Sequence, residues 1–228
     1  QILPEQEGAG QSFYIMIPAI HIYGQAIPQG GSQELPNSMA RYIEAHGGSV
    51  RTGCSIQRIL LEGDQARGVE LEGGEQIRAT RAVVSALEPK QTFLKFVGEE
   101  KLAPDFTRLV KAFSFGKISI CRIHLALSEA PKFLNGEDMT KCLFYRIVDS
   151  TEQMIRFYSE IAMGIPPTDP FLWCACWTRL DPTRAPDGKH TLILDTFVSN
   201  WLADGRSWQD IGEDYARNTL IRKLQQYA

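Results

Sequence analysis

The sequence predicts an α+β fold: a helix, a small antiparallel meander and a buried strand, followed by a mainly antiparallel sheet with helices on it. Three observations predict this. Between Ser49 and Ala79, apolar and polar residues alternate and are interrupted by Gly63-Asp64 and Gly73-Gly74, the pattern of short strands joined by tight turns. Beyond residue 90, long runs with strand character alternate with segments of helical period, which suits a sheet with helices packed on it. The chain has 228 residues, 43% of them hydrophobic, enough to bury a core.

The elements follow in order. Residues 1–11 are polar and expected to be loose. Pro28-Gln29-Gly30-Gly31-Ser32 is a turn by composition. A helix follows, with Ser32 as the expected N-cap and Pro36 in the first turn. Leu35, Met39, Tyr42 and Ile43 make one apolar stripe on it, and Gly47-Gly48 ends it. Ser49–Thr52, Ser55–Glu62, Ala66–Leu71 and Gln76–Ala79 read as strands. Ala82-Val83-Val84-Ser85-Ala86 reads as a strand covered on both faces and ends before Pro89. In the second region, Lys90–Val97 and Asp105–Phe113 read as helices, the latter with Phe106, Leu109, Val110 and Phe113 on one face. Lys117–Leu127, Cys142–Val148, Phe171–Thr178 and Thr191–Asn200 read as strands. Ser150-Thr151-Glu152-Gln153 is a capping box for a helix that Gly164 ends. Ser207 opens a last helix expected to run on to Ala228.

Composition narrows the function. There are 24 Lys and Arg against 27 Asp and Glu, a formal charge of −3, which argues against a nucleic-acid binder. No apolar run approaches the roughly 18 residues of a membrane span, and no signal peptide is visible. Five Cys do not make a disulfide framework, so a reducing compartment is expected.

The sequence carries little sign of autonomous chemistry. There is no G-x-S-x-G, H-E-x-x-H or Walker loop, and no G-x-G-x-x-G opening a βαβ unit. Cys174 and Cys176 face one side of a strand and lack the further ligands that zinc needs, so no metal site is expected. His124 lies mid-strand on one face with Arg122, as a general base or, more simply, a structural imidazole. Asp195 interrupts an apolar strand, facing either a cavity or, more simply, solvent. The aromatic residues of the second region are expected in the core, with a few lining an apolar pocket. No catalytic residue is assigned.

One ordered block of residues does carry a resemblance. Pro28-Gln29-Gly30-Gly31-Ser32, Leu35 and the helix to His46-Gly47-Gly48 begin it. Val50-Arg51-Thr52-Gly53, Ile56-Gln57-Arg58-Ile59, Ala66-Arg67-Gly68-Val69-Glu70-Leu71 and Gly73-Gly74-Glu75-Gln76-Ile77-Arg78-Ala79 continue it. Ala82-Val83-Val84-Ser85-Ala86 and Pro89 close it. The block resembles the middle of phytoene dehydrogenase-like flavoproteins, within the amine oxidase-type FAD superfamily. A looser similarity includes Pro166-Pro167, Asp181-Pro182 and Ala185-Pro186-Asp187-Gly188-Lys189-His190.

The resemblance implies a partial FAD/NAD(P)-binding fold in three parts: a substrate-domain tail at 1–27, a portion of the FAD domain at 28–89, and a substrate domain at 90–228. It implies FAD as cofactor, with Ile56 offering backbone groups to the adenine and Ser85 and Ala86 beside the cofactor. It implies an oxidoreductase that desaturates, saturates or isomerises an apolar, isoprenoid or carotenoid-like substrate by hydride transfer to or from flavin. Such relatives begin and end with glycine-rich cofactor segments that this sequence lacks. The expectation is therefore a central part of a longer protein, inactive in isolation and completed by the remaining segments of its own FAD domain. The resemblance also brings contact with a membrane surface into view, so a cytoplasmic or peripheral membrane location is expected. The alternative is a non-catalytic interaction module that keeps the fold without the nucleotide site. A hydrolase using Ser85 or His124 is a weaker third reading, because Ser85 lacks the flanking glycines of a nucleophile elbow.

Overall fold

A computed structural model describes residues 18–136 and 138–228. The expected loose stretch at 1–11, and most of the tail expected at 1–27, lie outside the described residues. The chain forms two compact units. One holds residues up to Met39 together with Gly116–Ala228, and the other holds Ala40–Phe115.

The helix α1 (Glu34–Ala45) passes from the first unit into the second. It begins after Ser32, which sits in the preceding turn and not at the expected N-cap. Gly47 ends the helix with φ 80°, and Gly48 N–H donates to the Ile43 carbonyl at 2.9 Å, a left-handed stop that favours glycine. The apolar stripe is present but not covered: Leu35, Met39, Tyr42 and Ile43 are 42–67% exposed.

In the smaller unit, β1 (Ile56–Glu62), β2 (Gln65–Leu71) and β3 (Gln76–Arg78) form the predicted meander, antiparallel throughout. Gly68 is required there. A Cβ on it would lie 2.2 Å from the Ile77 carbonyl oxygen of β3, far inside contact distance. The helix Lys90–Gly98 has π-type spacing and packs on β1. It also meets α2 (Pro104–Ala112), where Phe93 and Phe106 stack edge to face at 4.9 Å. Of the face expected on α2, Val110 is buried, while Phe106, Leu109 and Phe113 are exposed.

Two strand expectations fail in this unit. Ser49–Thr52 and Ala82–Ala86 join no ladder. A strand exists only with a partner to take its N–H and C=O groups, and the described residues offer none to Ala82–Ala86. Val84 is 91% exposed, so this apolar run is uncovered instead of buried on both faces.

The larger unit is built on a four-stranded antiparallel sheet. Its strands are β4 (Ile118–Leu127), β5 (Tyr145–Ile147), β6 (Leu172–Ala175) and β7 (His190–Ser199), in the order β4-β7-β6-β5. β4 and β7 match their predicted spans closely. β5 is shorter than predicted, and so is β6, because the chain after β6 turns into a one-turn helix at Trp177–Arg179. Side chains alternate across the sheet. One face presents Leu172, Cys174, Leu192 and Leu194, packed with Tyr215, Leu220 and Leu224 of the C-terminal helical segment. The two cysteines expected on one side of a strand are both in this core.

On the opposite face, α3 (Thr151–Ala162) packs Phe157 and Ile161 against Ile118 and Phe171. Ser150 caps α3 by accepting from Gln153 N–H at 3.1 Å. The reciprocal half of the expected capping box differs, because the Gln153 side chain accepts from Asp149 N–H at 2.7 Å. The helix α4 (Trp208–Tyr215) has a complete capping box between Ser207 and Asp210. It continues through a π-type turn to Leu224 and does not reach Ala228. Lys223, near its end, is 5% exposed between Asp149, at 2.8 Å, and Asp169. Burial pulls the Lys223 pKa down, and the two carboxylates outweigh that and hold it above the ordinary value. The pair of ion bridges ties the last helix to the loops at the ends of β5 and β6.

A second polar cluster fastens the turn before α1. Gly30 N–H donates to Asp181 Oδ2 at 2.7 Å, and Arg184 Nε donates to the same oxygen at 2.9 Å. The Thr183 hydroxyl, then Arg184 and the Gly30 amide, hold the Asp181 carboxyl at about 2, below its ordinary 3.8. The lowered pKa makes this contribution complete above pH 3.8 and removes it as pH falls through about 2. Melting temperatures of Asp181→Asn and wild-type protein across pH 5 to 2 should therefore converge as the solution is acidified. A constant gap between the two curves would show that the cluster is not linked to protonation.

Candidate substrate-side site on the open sheet face

The residues of the sheet face opposite the main core, which α3 covers in part, follow from register. Ile120 pairs with Phe197, Arg122 with Asp195, and His124 with Ile193. Asp195 also pairs with Trp173 of β6, and Trp173 with Arg146 of β5. Alternation puts all of them on the face opposite the main core. A depression of about 240 Å³ lies on this face, walled by Ile120, Phe144, Phe171, Trp173 and Phe197, with Arg122 and Asp195 also bordering it.

Arg122 and Asp195 form a bidentate pair, Nε to Oδ1 at 2.7 Å and Nη2 to Oδ2 at 2.6 Å. The Asp195 side chain is 10% exposed and that of Arg122 is 44% exposed. The expectation that Asp195 faces solvent is therefore corrected: the cavity reading holds, and Arg122 compensates its charge. Arg146 lies over the Trp173 ring at 4.9 Å, a cation–π contact. The indole N–H of Trp173 is buried with no hydrogen-bond partner among the described residues. His124 shares the face with Arg122 as expected. It is exposed and makes no hydrogen bond among the described residues, which removes the simpler expectation of a satisfied structural imidazole.

The three residues expected beside the cofactor all lie in the smaller unit. Ile56 opens β1 opposite Leu71, next to an irregularity in the ladder. Ser85 and Ala86 lie in the unpaired segment, both exposed. The Ser85 hydroxyl bonds the Thr92 hydroxyl at 2.8 Å, and the Thr92 helix packs on β1. The partner of Ser85 is thus a threonine and not an imidazole, so the nucleophile reading gains nothing. The segment 82–86 is uncharged and makes no backbone–backbone hydrogen bonds among the described residues.

Comparison with known proteins places the chain. The sequence profile described as flavin containing amine oxidoreductase matches residues 5–211. The chain belongs to this family. FAD, the cofactor the resemblance implied, agrees with the flavin in that description. The chain is 26% identical over 206 residues to rat (Rattus norvegicus) pyridine nucleotide-disulfide oxidoreductase domain-containing protein 2, covering 86% of this chain and 34% of that protein. It is also 26% identical to a zeta-carotene-forming phytoene desaturase of Myxococcus xanthus, covering 82% of this chain and 34% of the relative. An oxidoreductase structure from Methanosarcina mazei shares the fold with a TM-score of 0.60 at 19% identity, covering 93% of this chain and 42% of that one. The chain thus spans about a third of the length of these curated relatives. No helix among the described residues is long and apolar enough to cross a membrane.

Arg146 was not singled out from the sequence. Its only signal is the alternation Tyr145-Arg146-Ile147, which becomes informative once β5 is paired with Trp173. The Arg122–Asp195 pair lends itself to a double-mutant cycle with Arg122→Met and Asp195→Leu, read by denaturant unfolding. The coupling should be about 1–2 kcal/mol, moderated by the exposure of Arg122. A coupling indistinguishable from zero would contradict the bidentate geometry.

Proposed function

We propose that this chain is the substrate-facing and adenine-side part of an FAD-dependent oxidoreductase that desaturates, saturates or isomerises an apolar isoprenoid-type molecule. The observation that carries the reading is the aromatic depression on the open sheet face of a chain in a flavin-containing family. The Myxococcus relative, a phytoene desaturase by name, supports an isoprenoid substrate.

The division of labour follows from the residues. We assign 28–89 to the FAD domain and 90–228 to the substrate domain. Ile56 would meet the adenine edge through backbone groups, and Ser85 and Ala86 would lie along the cofactor with their free backbone donors and acceptors. A bound flavin supplies a hydride acceptor or donor. Phe144, Phe171, Trp173 and Phe197 give an apolar chain a wall and exclude water from it. The exposed stripe of α1 and the uncovered Val84 segment are surfaces for the remaining FAD-domain segments. An apolar substrate of this kind partitions into bilayers, which supports a peripheral membrane location, and the odd count of five Cys supports a reducing, cytoplasmic side.

The full-length protein should purify yellow, with a flavin absorption band near the usual visible wavelengths. Replacing Ala86 by Glu puts a charge beside the cofactor and should lower flavin retention at least about tenfold, a loss of about 1.4 kcal/mol in binding. A colourless full-length protein that takes up no added FAD would overturn the proposal in favour of a non-catalytic module.

A further inference from the structure

The larger sheet has an unpaired edge beside a hollow. β5 is the end strand of the order β4-β7-β6-β5 and pairs only with β6 among the described residues. Beyond that ladder, residues 144–148 make no backbone hydrogen bond among the described residues, so the outward N–H and C=O groups of β5 are unpaired. A depression of about 440 Å³ lies against the strand, and the consecutive residues Tyr145, Arg146 and Ile147 all line it. Consecutive strand residues point to opposite faces, so a hollow that meets all three runs along the strand's edge and not over one face. Its far bank includes Phe133, Met139 and Tyr227, which pack against the main core, the side to which Tyr145 and Ile147 also point. Arg146 is the only charged residue lining the hollow among the described residues. It is exposed, lies over Trp173 on the opposite side, and has no ion pair among the described residues.

An extended segment laid along β5 as a fifth antiparallel strand would meet these features in register. A residue opposite Arg146 projects to the Trp173 side, where a carboxylate meets the guanidinium. Its two neighbours, opposite Tyr145 and Ile147, project to the core side and enter the hollow, which suits apolar side chains. The strand edge itself supplies main-chain hydrogen bonds. Two other occupants fit less well. A second copy, paired edge to edge about a two-fold axis at Arg146, sets two guanidinium groups opposite each other, which is unfavourable. A permanent neighbouring strand of the same polypeptide needs no guard at its seam, whereas a short edge strand with an exposed cation is how a sheet leaves an edge in solvent without self-association. The same cation selects an acidic partner.

We infer that the β5 edge docks an extended segment of a partner protein with the pattern apolar–acidic–apolar. Its acidic side chain lies on Arg146, and its apolar side chains fill the hollow beside Phe133, Met139 and Tyr227. The inference is independent of the oxidoreductase reading.

The test is fluorescence-anisotropy titration of the full-length protein with dye-labelled, end-capped heptapeptides, their centre valine–glutamate–valine or valine–lysine–valine and their flanks threonine and serine. The glutamate peptide should bind about tenfold more tightly than the lysine peptide, the span between one attractive and one repulsive exposed cross-strand pair. Arg146→Glu should reverse the order, a gain that an unfolded variant cannot give. N-methylation of the three central amides of the glutamate peptide should abolish binding, because edge pairing needs those donors. Equal affinity for the two peptides, an order unchanged in Arg146→Glu, or unimpaired binding of the N-methylated peptide overturns the proposal. Absence of binding up to about 1 mM peptide overturns it too, and is the result expected if another segment of the same polypeptide covers the edge.

Discussion

The pairing register of β4, β7 and β6 is the constraint on which the larger unit depends. Side chains alternate with a period of two, so a slip of one residue would send the entire core set to the other face. The observed register sends Leu172, Cys174, Leu192 and Leu194 inward and leaves Ile120, Arg122, Trp173, Asp195 and Phe197 together outside the main core. The same register satisfies Asp195: a carboxylate nearly out of solvent is tolerable because Arg122 meets both of its oxygens. Core and candidate site are thus two consequences of one strand alignment.

The second unit obeys a different logic. Its meander and helices bury few side chains completely, chiefly Leu71, Phe96 and Val110. Its apolar surface is left open at Val84, and α1, which enters the unit, has an open stripe. In the proposed reading, the unpaired segment at 82–86 and the open stripe of α1 would lie against further FAD-domain segments and the cofactor.

Much of this was legible in the sequence, where the governing physics is local. The meander followed from alternation and glycine turns. β4 and β7 followed from long β-type runs, and the ends of α1 and α3 from Gly47, Ser150 and Gly164. The family was legible in the ordered block from Pro28 to Pro89. What was not legible depends on partners distant in sequence. Ala82–Ala86 has strand composition, but ladder partners decide whether a strand forms. The short span of β6 reflects the turn at Trp177–Arg179, which composition does not announce. Asp195 read as a solvated residue because its partner is 73 positions away. Arg146 was invisible because only the pairing of β5 with β6 sets it over Trp173.

The most direct test of the open sheet face as substrate floor is photoaffinity labelling of the full-length flavoprotein with a diazirine-bearing isoprenoid, followed by peptide mapping. The geometry requires adducts on the β4 and β6–β7 peptides that contain Ile120, Trp173 and Phe197, competed away by unlabelled ligand. Adducts confined to other peptides, such as the exposed stripe of α1, would contradict it.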